Sequence, residues 1–193
     1  MITVLLPPTL GVAFSLPGAE RVLSAHGHHP VLPTVTDDDT PPHAARYVAR
    51  VSLEINRLVA TDAPTVLVAQ GDAGPLLGAV AAAQRAAHRP VLGYVLLDGP
   101  LPQPGSPTRE EISRNQKLPD PPFSEGEPAG YRTERLPTIP DWPDAPCGYL
   151  LTDPAHAHPA RLAGMRGWRV RDLTAEPGTA AEALPELIAE LVR

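Results

Sequence analysis

The sequence predicts an α/β fold: one parallel sheet of about six strands with helices on both faces. Three observations predict it. Short apolar, β-branched runs of strand length alternate with longer helical stretches from end to end. One run, Val91–Leu97, is apolar almost throughout, as a strand buried on both faces must be. Another, Thr65–Ala69, passes into a tight turn of small residues and then a second apolar stretch, which reads as strand, turn and helix.

Ile2–Leu6 is the first buried strand, and Leu16–His26 the first helix, stopped by Gly27. Pro30–Val35 follows as the second strand. Pro41 and Pro42 open a helix that runs to about Ala60. Its apolar residues Val48, Val51, Ile55 and Val59 recur every three or four positions and make one buried stripe. After strand Thr65–Ala69 comes a small-residue helix, Pro75–Ala87, able to lie close to a sheet. Val91–Leu97 is the fourth strand. Gly148–Thr152 and Arg169–Leu173 are shorter strands separated by a helix near Pro159–Arg166, and Thr179–Val192 is the last helix. Right-handed crossovers then order the strands 2-1-3-4-5-6.

A chain of 193 residues suffices for one such core, so 1–193 is expected to form a single domain. The net charge of −6 comes from scattered acidic residues, which argues against nucleic acid as a partner. No apolar run approaches the roughly 20 residues of a membrane span. The first residues read as a strand rather than a signal peptide, and the lone Cys147 excludes an internal disulfide. Together these place the protein in the cytoplasm. Segment 99–146 breaks the alternation: it holds many of the 26 prolines and is too Pro-rich for a long helix. An insertion of this length after a strand is expected to be a lid or binding loop, with an exposed linker as the plain alternative.

Ligands of parallel sheets sit beyond the carboxyl ends of the strands. This picks out Pro7–Leu10, Gln70–Ala73, Asp98–Pro100 and Asp153–His158 as the rim. His26, His28 and His29 lie close together but lack a carboxylate or cysteine set at ligand spacing, so they read as a solvated turn. Asp37-Asp38-Asp39-Thr40 reads as a charge cluster before a helix. No metal site and no cofactor are expected. Cys147 reads as a small buried apolar group.

Four segments carry a resemblance. Val68-Ala-Gln-Gly-Asp-Ala-Gly-Pro-Leu-Leu77 is similar to the Gly-His-Ser-Gly-Ala-Gly-Pro-Leu-Leu that follows a strand in small α/β-hydrolases. Val95-Leu-Leu-Asp-Gly-Pro-Leu-Pro102 resembles their next strand and its exit. Trp142-Pro-Asp-Ala-Pro-Cys-Gly-Tyr-Leu150 and Arg166-Gly-Trp-Arg-Val170 resemble the last two strands and their approaches. The chain thus resembles a small, lid-reduced bacterial α/β-hydrolase over most of its length outside roughly 103–140. The resemblance implies an α/β-hydrolase-like fold.

It also exposes departures from the family pattern. The first alignment puts Gly71 where the nucleophilic Ser belongs. The register agrees with the tightness of the turn, which needs small residues two before and two after the tip: Ala69 and Ala73 are small. With Asp72 at the tip, Gln70 would occupy one of those places and is too large. The family's histidine follows the final strand, but here Arg171-Asp-Leu-Thr-Ala-Glu-Pro-Gly178 contains none. Asp153 is near the place of the triad acid, with His156 and His158 in the same loop. The first-strand exit reads Pro7-Pro8-Thr9-Leu10, and proline cannot donate to an oxyanion. A Ser–His–Asp mechanism needs all these parts together.

The resulting expectation is an α/β-hydrolase-like protein that is not a conventional serine hydrolase. One reading is a catalyst of different chemistry, a cyclisation, elimination or isomerisation of a small molecule in bacterial specialised metabolism, with Asp72 as its catalytic residue. The alternative is a non-catalytic pseudoenzyme that binds a small molecule or a protein. Both place a small-molecule ligand beside Gly71, among Pro8, Gln70, Asp98 and His156. For Asp72 itself, helix capping stands against a ligand or acid–base role. Nucleic acid and membrane are not expected partners, and a homodimer is left open.

Overall fold

The computed structural model describes residues 1–119, 127–137 and 139–193. Six strands form one all-parallel sheet: β1 (Ile2–Leu6), β2 (His29–Val31), β3 (Thr65–Gln70), β4 (Val91–Leu97), β5 (Cys147–Leu151) and β6 (Arg169–Asp172). Their order is β2-β1-β3-β4-β5-β6, as the alternation predicts. The register aligns Leu6 with Ala69, Gln70 with Leu97, and Leu97 with Leu150, so the carboxyl ends of the central strands meet along one edge.

Side chains alternate across this sheet with period two. Val4, Leu6, Leu67, Ala69, Tyr94 and Leu96 face one side, where they meet α2 (His43–Leu58), α3 (Leu77–Ala86) and α5 (Ala157–Met165) through Tyr47, Val51, Val80 and Ala163. Leu5, Val66, Val68, Val95 and Leu97 face the other side, under α1 (Ala19–Ala25) and α6 (Ala180–Leu191), packing on Leu23, Leu184 and Ile188. Both faces are apolar and covered, which is why the central strands read as continuous hydrophobic runs.

Several boundaries differ from the sequence expectation. β2 stops at Val31, short of Val35, because it is an edge strand and Pro33 has no N–H for the ladder. α1 begins at Ala19 rather than Leu16: Pro17 precedes Gly18, whose φ of 82° lies in the left-handed region. The helix after β3 begins as a tight 3₁₀ segment, Gly71–Leu76, before becoming α-helical.

The largest difference lies between β4 and β5. A short helix, α4 (Arg109–Asn115), forms inside the Pro-rich segment. Thr108 Oγ1 accepts from Glu111 N at 3.1 Å, and Glu111 Oε2 accepts from Thr108 N at 2.8 Å, a reciprocal capping box. The described residues of the segment are packed rather than loose. Leu101, Ile112 and Leu136 enter the core, and Gln116 bonds both the N–H and the C=O of Leu101 at 2.8 and 2.7 Å. Glu134 Oε2 accepts from Ala44 N at 3.0 Å, supplying the start of α2 with a partner its own residues lack. From residue 120 onward the Pro119–Pro122 run lies outside the described residues. Among those described, no helix is long and apolar enough to cross a membrane.

Candidate functional site

The junction after β3 is sharp because of what surrounds it. Gly71 has φ 55°, in the left-handed region that favours glycine. Its flanks Ala69 and Ala73 are buried and small. A methyl built on Gly99 would lie 2.6 Å from the Gly71 carbonyl oxygen, and one on Gly74 would lie 2.4 Å from Pro100 O. These two glycines let the turn sit directly on the exit of β4. A methyl on Gly71 itself would meet nothing closer than Pro8 Cγ at 3.8 Å, so the tip has room for a side chain and does not carry one.

The exit of β1 is pinned from below. Tyr47 donates to Pro7 O at 2.6 Å, and the buried carboxylate of Asp38 accepts from Leu10 N at 2.6 Å. Pro7 and Pro8 have no N–H, so this loop has little to donate to a negative oxygen. Burial, then the Asp38 charge, pushes the Tyr47 phenol well above its ordinary pKa, which keeps it a donor.

The predicted rim residues reach different surroundings. Pro8 stands against Gly71. Gln70 is turned to the chain after β1: its Oε1 accepts from Ser15 N and its Nε2 donates to Ser15 O, both at 2.8 Å. Asp98, at φ 43°, accepts from Thr152 N at 2.8 Å, from Asp153 N at 3.1 Å and from the Thr152 hydroxyl. It thereby ties the exits of β4 and β5. The polar groups of Gln70 and Asp98 are both taken up by the scaffold. His156 Nδ1 lies 4.0 Å from Asp153 Oδ2 and has no hydrogen-bond partner among the described residues.

Asp72 faces neither Asp98 nor His156. The cap position of the 3₁₀ segment is Gln70, and Asp72 makes no capping bond. With Arg109, Glu127, Tyr131 and Arg132, its carboxylate lines a cavity of about 60 Å³. Arg132 is held bidentate by Glu127, Nε to Oε1 at 2.6 Å and Nη2 to Oε2 at 2.8 Å. The Arg109 guanidinium stacks 4.0 Å over the Tyr131 ring, whose hydroxyl makes a short hydrogen bond with the Thr9 hydroxyl. Burial, then the neighbouring Asp72 charge, raises the Tyr131 pKa, so its phenol stays protonated. His43 packs edge-on to the same ring at 5.7 Å, gives its Nδ1 proton to Asp38 O at 3.0 Å, and leaves a buried Nε2 without a partner.

Sequence reasoning missed Arg109, Tyr131 and Arg132. The one signal available was Thr108-x-x-Glu111, a helix start that would have placed Arg109 at the head of α4. Chemically, the cavity brings the carboxylates of Asp72, Glu110 and Glu127, the last paired with Arg132, beside a protonated phenol and two guanidinium groups at the rim of the turn. Among the described residues no group of three or more His, Cys, Asp or Glu is placed to hold a metal.

No family model matches the sequence, and no curated protein shows significant sequence similarity to it. Solved structures do resemble it. An extracellular α/β-hydrolase from a Paenibacillus species aligns over 100% of this chain and 99% of its own, with a TM-score of 0.58 at 15% identity. An esterase from Pyrobaculum calidifontis aligns over 100% and 77%, with a TM-score of 0.54 at 15% identity. The thioesterase domain that cyclises the lipopeptide antibiotic surfactin aligns over 97% and 90%, with a TM-score of 0.51 at 17% identity. At these identities the likeness is one of fold: the chain has the α/β-hydrolase fold.

Proposed function

We propose that this α/β-hydrolase-fold chain acts on a small molecule at the rim beside Gly71 without forming an acyl-enzyme. The observation that carries the reading is the tip itself. The turn that presents a nucleophile in this fold is built with Gly71 at positive φ, so there is no side-chain oxygen or sulfur at that point to attack a carbonyl. The β1 exit, with Pro7 and Pro8 lacking N–H groups and that of Leu10 taken by Asp38, supports the same conclusion.

In this reading the working group is Asp72, whose carboxylate makes no hydrogen bond among the described residues. It takes a proton from the bound molecule and returns it to another atom of that molecule, which balances as an isomerisation; ring closure and elimination use the same two transfers. Tyr131, kept protonated by burial, and Arg109 orient polar oxygens next to it. The described parts of segment 99–146, which supply Arg109, Tyr131 and Arg132, serve as the lid of the site. Surfactin cyclisation by one of the fold neighbours is an analogy for ring-closing chemistry on such a sheet, and bacterial specialised metabolism is the setting proposed.

A second reading, a binder without turnover, is favoured by one specific observation. Gln70 and Asp98 are both spent on backbone contacts, which leaves Asp72 without a second ionisable partner from the predicted rim.

The test has two arms. Purified protein should not hydrolyse p-nitrophenyl butyrate above a boiled control and should not be labelled by a fluorophosphonate; stoichiometric labelling of a serine near the strand ends would overturn the reading. A panel of small hydroxy acids, lactones and enones is then screened by thermal shift and for conversion, against wild type and Asp72→Asn. A catalyst loses turnover in the variant with binding largely kept, whereas a binder shows no turnover in either protein.

A further inference from the structure

A second cleft, of about 430 Å³, shares no residue with the Asp72 cavity. It opens between the start of α3, the chain after β4 and the approach to β6. Its size is within the range of small-molecule sites, about 300–1,000 Å³. Pro75 and Gly78 come from the elbow helix, Pro102 from the β4 exit, and Trp142, Arg166 and Trp168 from the approaches to β5 and β6. These are the chain's only two tryptophans.

The walls are flat and rigid. Trp142 and Trp168 meet edge to face at 5.8 Å, and Trp142 also packs on Tyr94 at 5.4 Å. The absence of a side chain at Gly78 lets the Trp142 ring lie against α3: a methyl there would be 3.3 Å from Trp142 Cγ. The Trp142 indole nitrogen is itself buried, with no hydrogen-bond partner among the described residues.

The charge is one-sided. Arg166 gives one hydrogen bond, from Nη1 to Pro102 O at 3.1 Å, and among the described residues it has no ion pair. Among the described residues no carboxylate lines the cleft. Burial lowers the Arg166 pKa from its ordinary value with no neighbouring acid to offset it, yet a guanidinium stays charged at neutral pH. An exposed guanidinium with no ion-pair partner among the described residues, at the edge of an aromatic slot, can take a carboxylate.

We propose that this cleft is a second binding site, for a small molecule carrying a flat apolar ring and a carboxylate, with the ring against the indoles and prolines and the carboxylate on Arg166. One guanidinium matches one carboxylate; a phosphate monoester, at about two charges, would be left half neutralised. The inference does not depend on what Asp72 does.

Because both tryptophans line the cleft, intrinsic fluorescence and the two indole N–H signals in a ¹⁵N spectrum report occupancy directly. The probes are 2-naphthoate and its neutral counterpart 2-naphthalenemethanol, titrated into the full chain by calorimetry. The carboxylate should bind at least about tenfold more tightly than the alcohol, the step a charge-assisted hydrogen bond supplies. Both indole signals should shift, the one from Trp142 being assigned with Trp142→Phe. Arg166→Gln should remove the preference, Arg166→Lys should keep part of it, and Asp72→Asn should bind like wild type. Equal affinity of the two probes for the unaltered chain would overturn the proposal, whether or not the Arg166 variants fold. So would unperturbed indole signals, or an undiminished preference in folded Arg166→Gln. Loss of naphthoate binding in folded Asp72→Asn would merge this cleft with the Asp72 site and overturn it as a separate one.

Discussion

Gly99 stands against the carbonyl of Gly71 so closely that a methyl group on it would lie 2.6 Å from that oxygen. The contact joins the exit of β4 to the tip of the β3 turn, and Gly74 repeats it against Pro100 O. Two neighbouring backbones approach where a parallel sheet presents its ligand site, and only residues without a Cβ permit the approach.

Gly99→Ala should therefore cost more than a usual small-to-large change at a surface turn. The atom it meets is backbone and cannot swing aside, so the overpacking penalty of about 1–3 kcal/mol applies. Urea denaturation measures it. Gly78→Ala is the control, since its methyl would meet the Trp142 side chain at 3.3 Å, where a ring can yield by a few tenths of an ångström. Equal stability of Gly99→Ala and wild type would mean that the elbow moves freely on β4.

A second expectation concerns acid stability. Asp144 accepts from Tyr94 OH at 2.7 Å and lies 2.5 Å from Arg85 Nη1. Partial burial opposes ionisation, but the hydrogen bond from Tyr94 and the Arg85 ion pair outweigh it, and the carboxyl titrates below the usual carboxylate range. A carboxylate with a depressed folded pKa stabilises the fold fully above its unfolded value. That contribution disappears as the pH falls through the lower, folded value. Asp144→Asn should thus melt below wild type at pH 7 and show a shallower loss of melting temperature below about pH 4. Parallel curves for the two proteins at acid pH would show that Asp144 is not a linked group.

The sheet was legible in the sequence because its signals are local and repeated. Leu5 and Val68 turn to one face while Leu6 and Ala69 turn to the other, and that alternation follows from strand geometry alone. The turn at Gly71 was legible from the sizes of Ala69 and Ala73. The rim was legible as chain positions but not as side-chain directions. Nothing near Gln70 in the sequence tells that its amide will clasp the backbone of Ser15, or that Asp98 will bind the start of the loop after β5. Arg109 and Tyr131 lie in an irregular segment with no periodicity to read. They meet Asp72 and Thr9 in a fold where Ile112 of α4 is seated in the core.

The last prediction returns a nucleophile to the turn. Gly71→Ser fits sterically, since its Cβ would be 3.8 Å from Pro8 Cγ. Its φ of 55° charges a non-glycine residue about 1–2 kcal/mol, so the variant should fold and melt a few degrees lower. It should still fail to hydrolyse p-nitrophenyl acetate or to react with a fluorophosphonate. A serine hydroxyl needs a base within hydrogen-bond reach, and no histidine follows β6. The histidine nearest in role, His156, belongs to the loop after β5 beside Asp153. The β1 exit, with two prolines and a committed Leu10 N–H, adds no compensating oxyanion donor from those positions. Esterase activity in Gly71→Ser that is lost again in Gly71→Ser/His156→Ala would show that the base is in place and that the serine alone is missing. The protein would then be one substitution from a serine hydrolase, and the reading of Asp72 as the working group would fall.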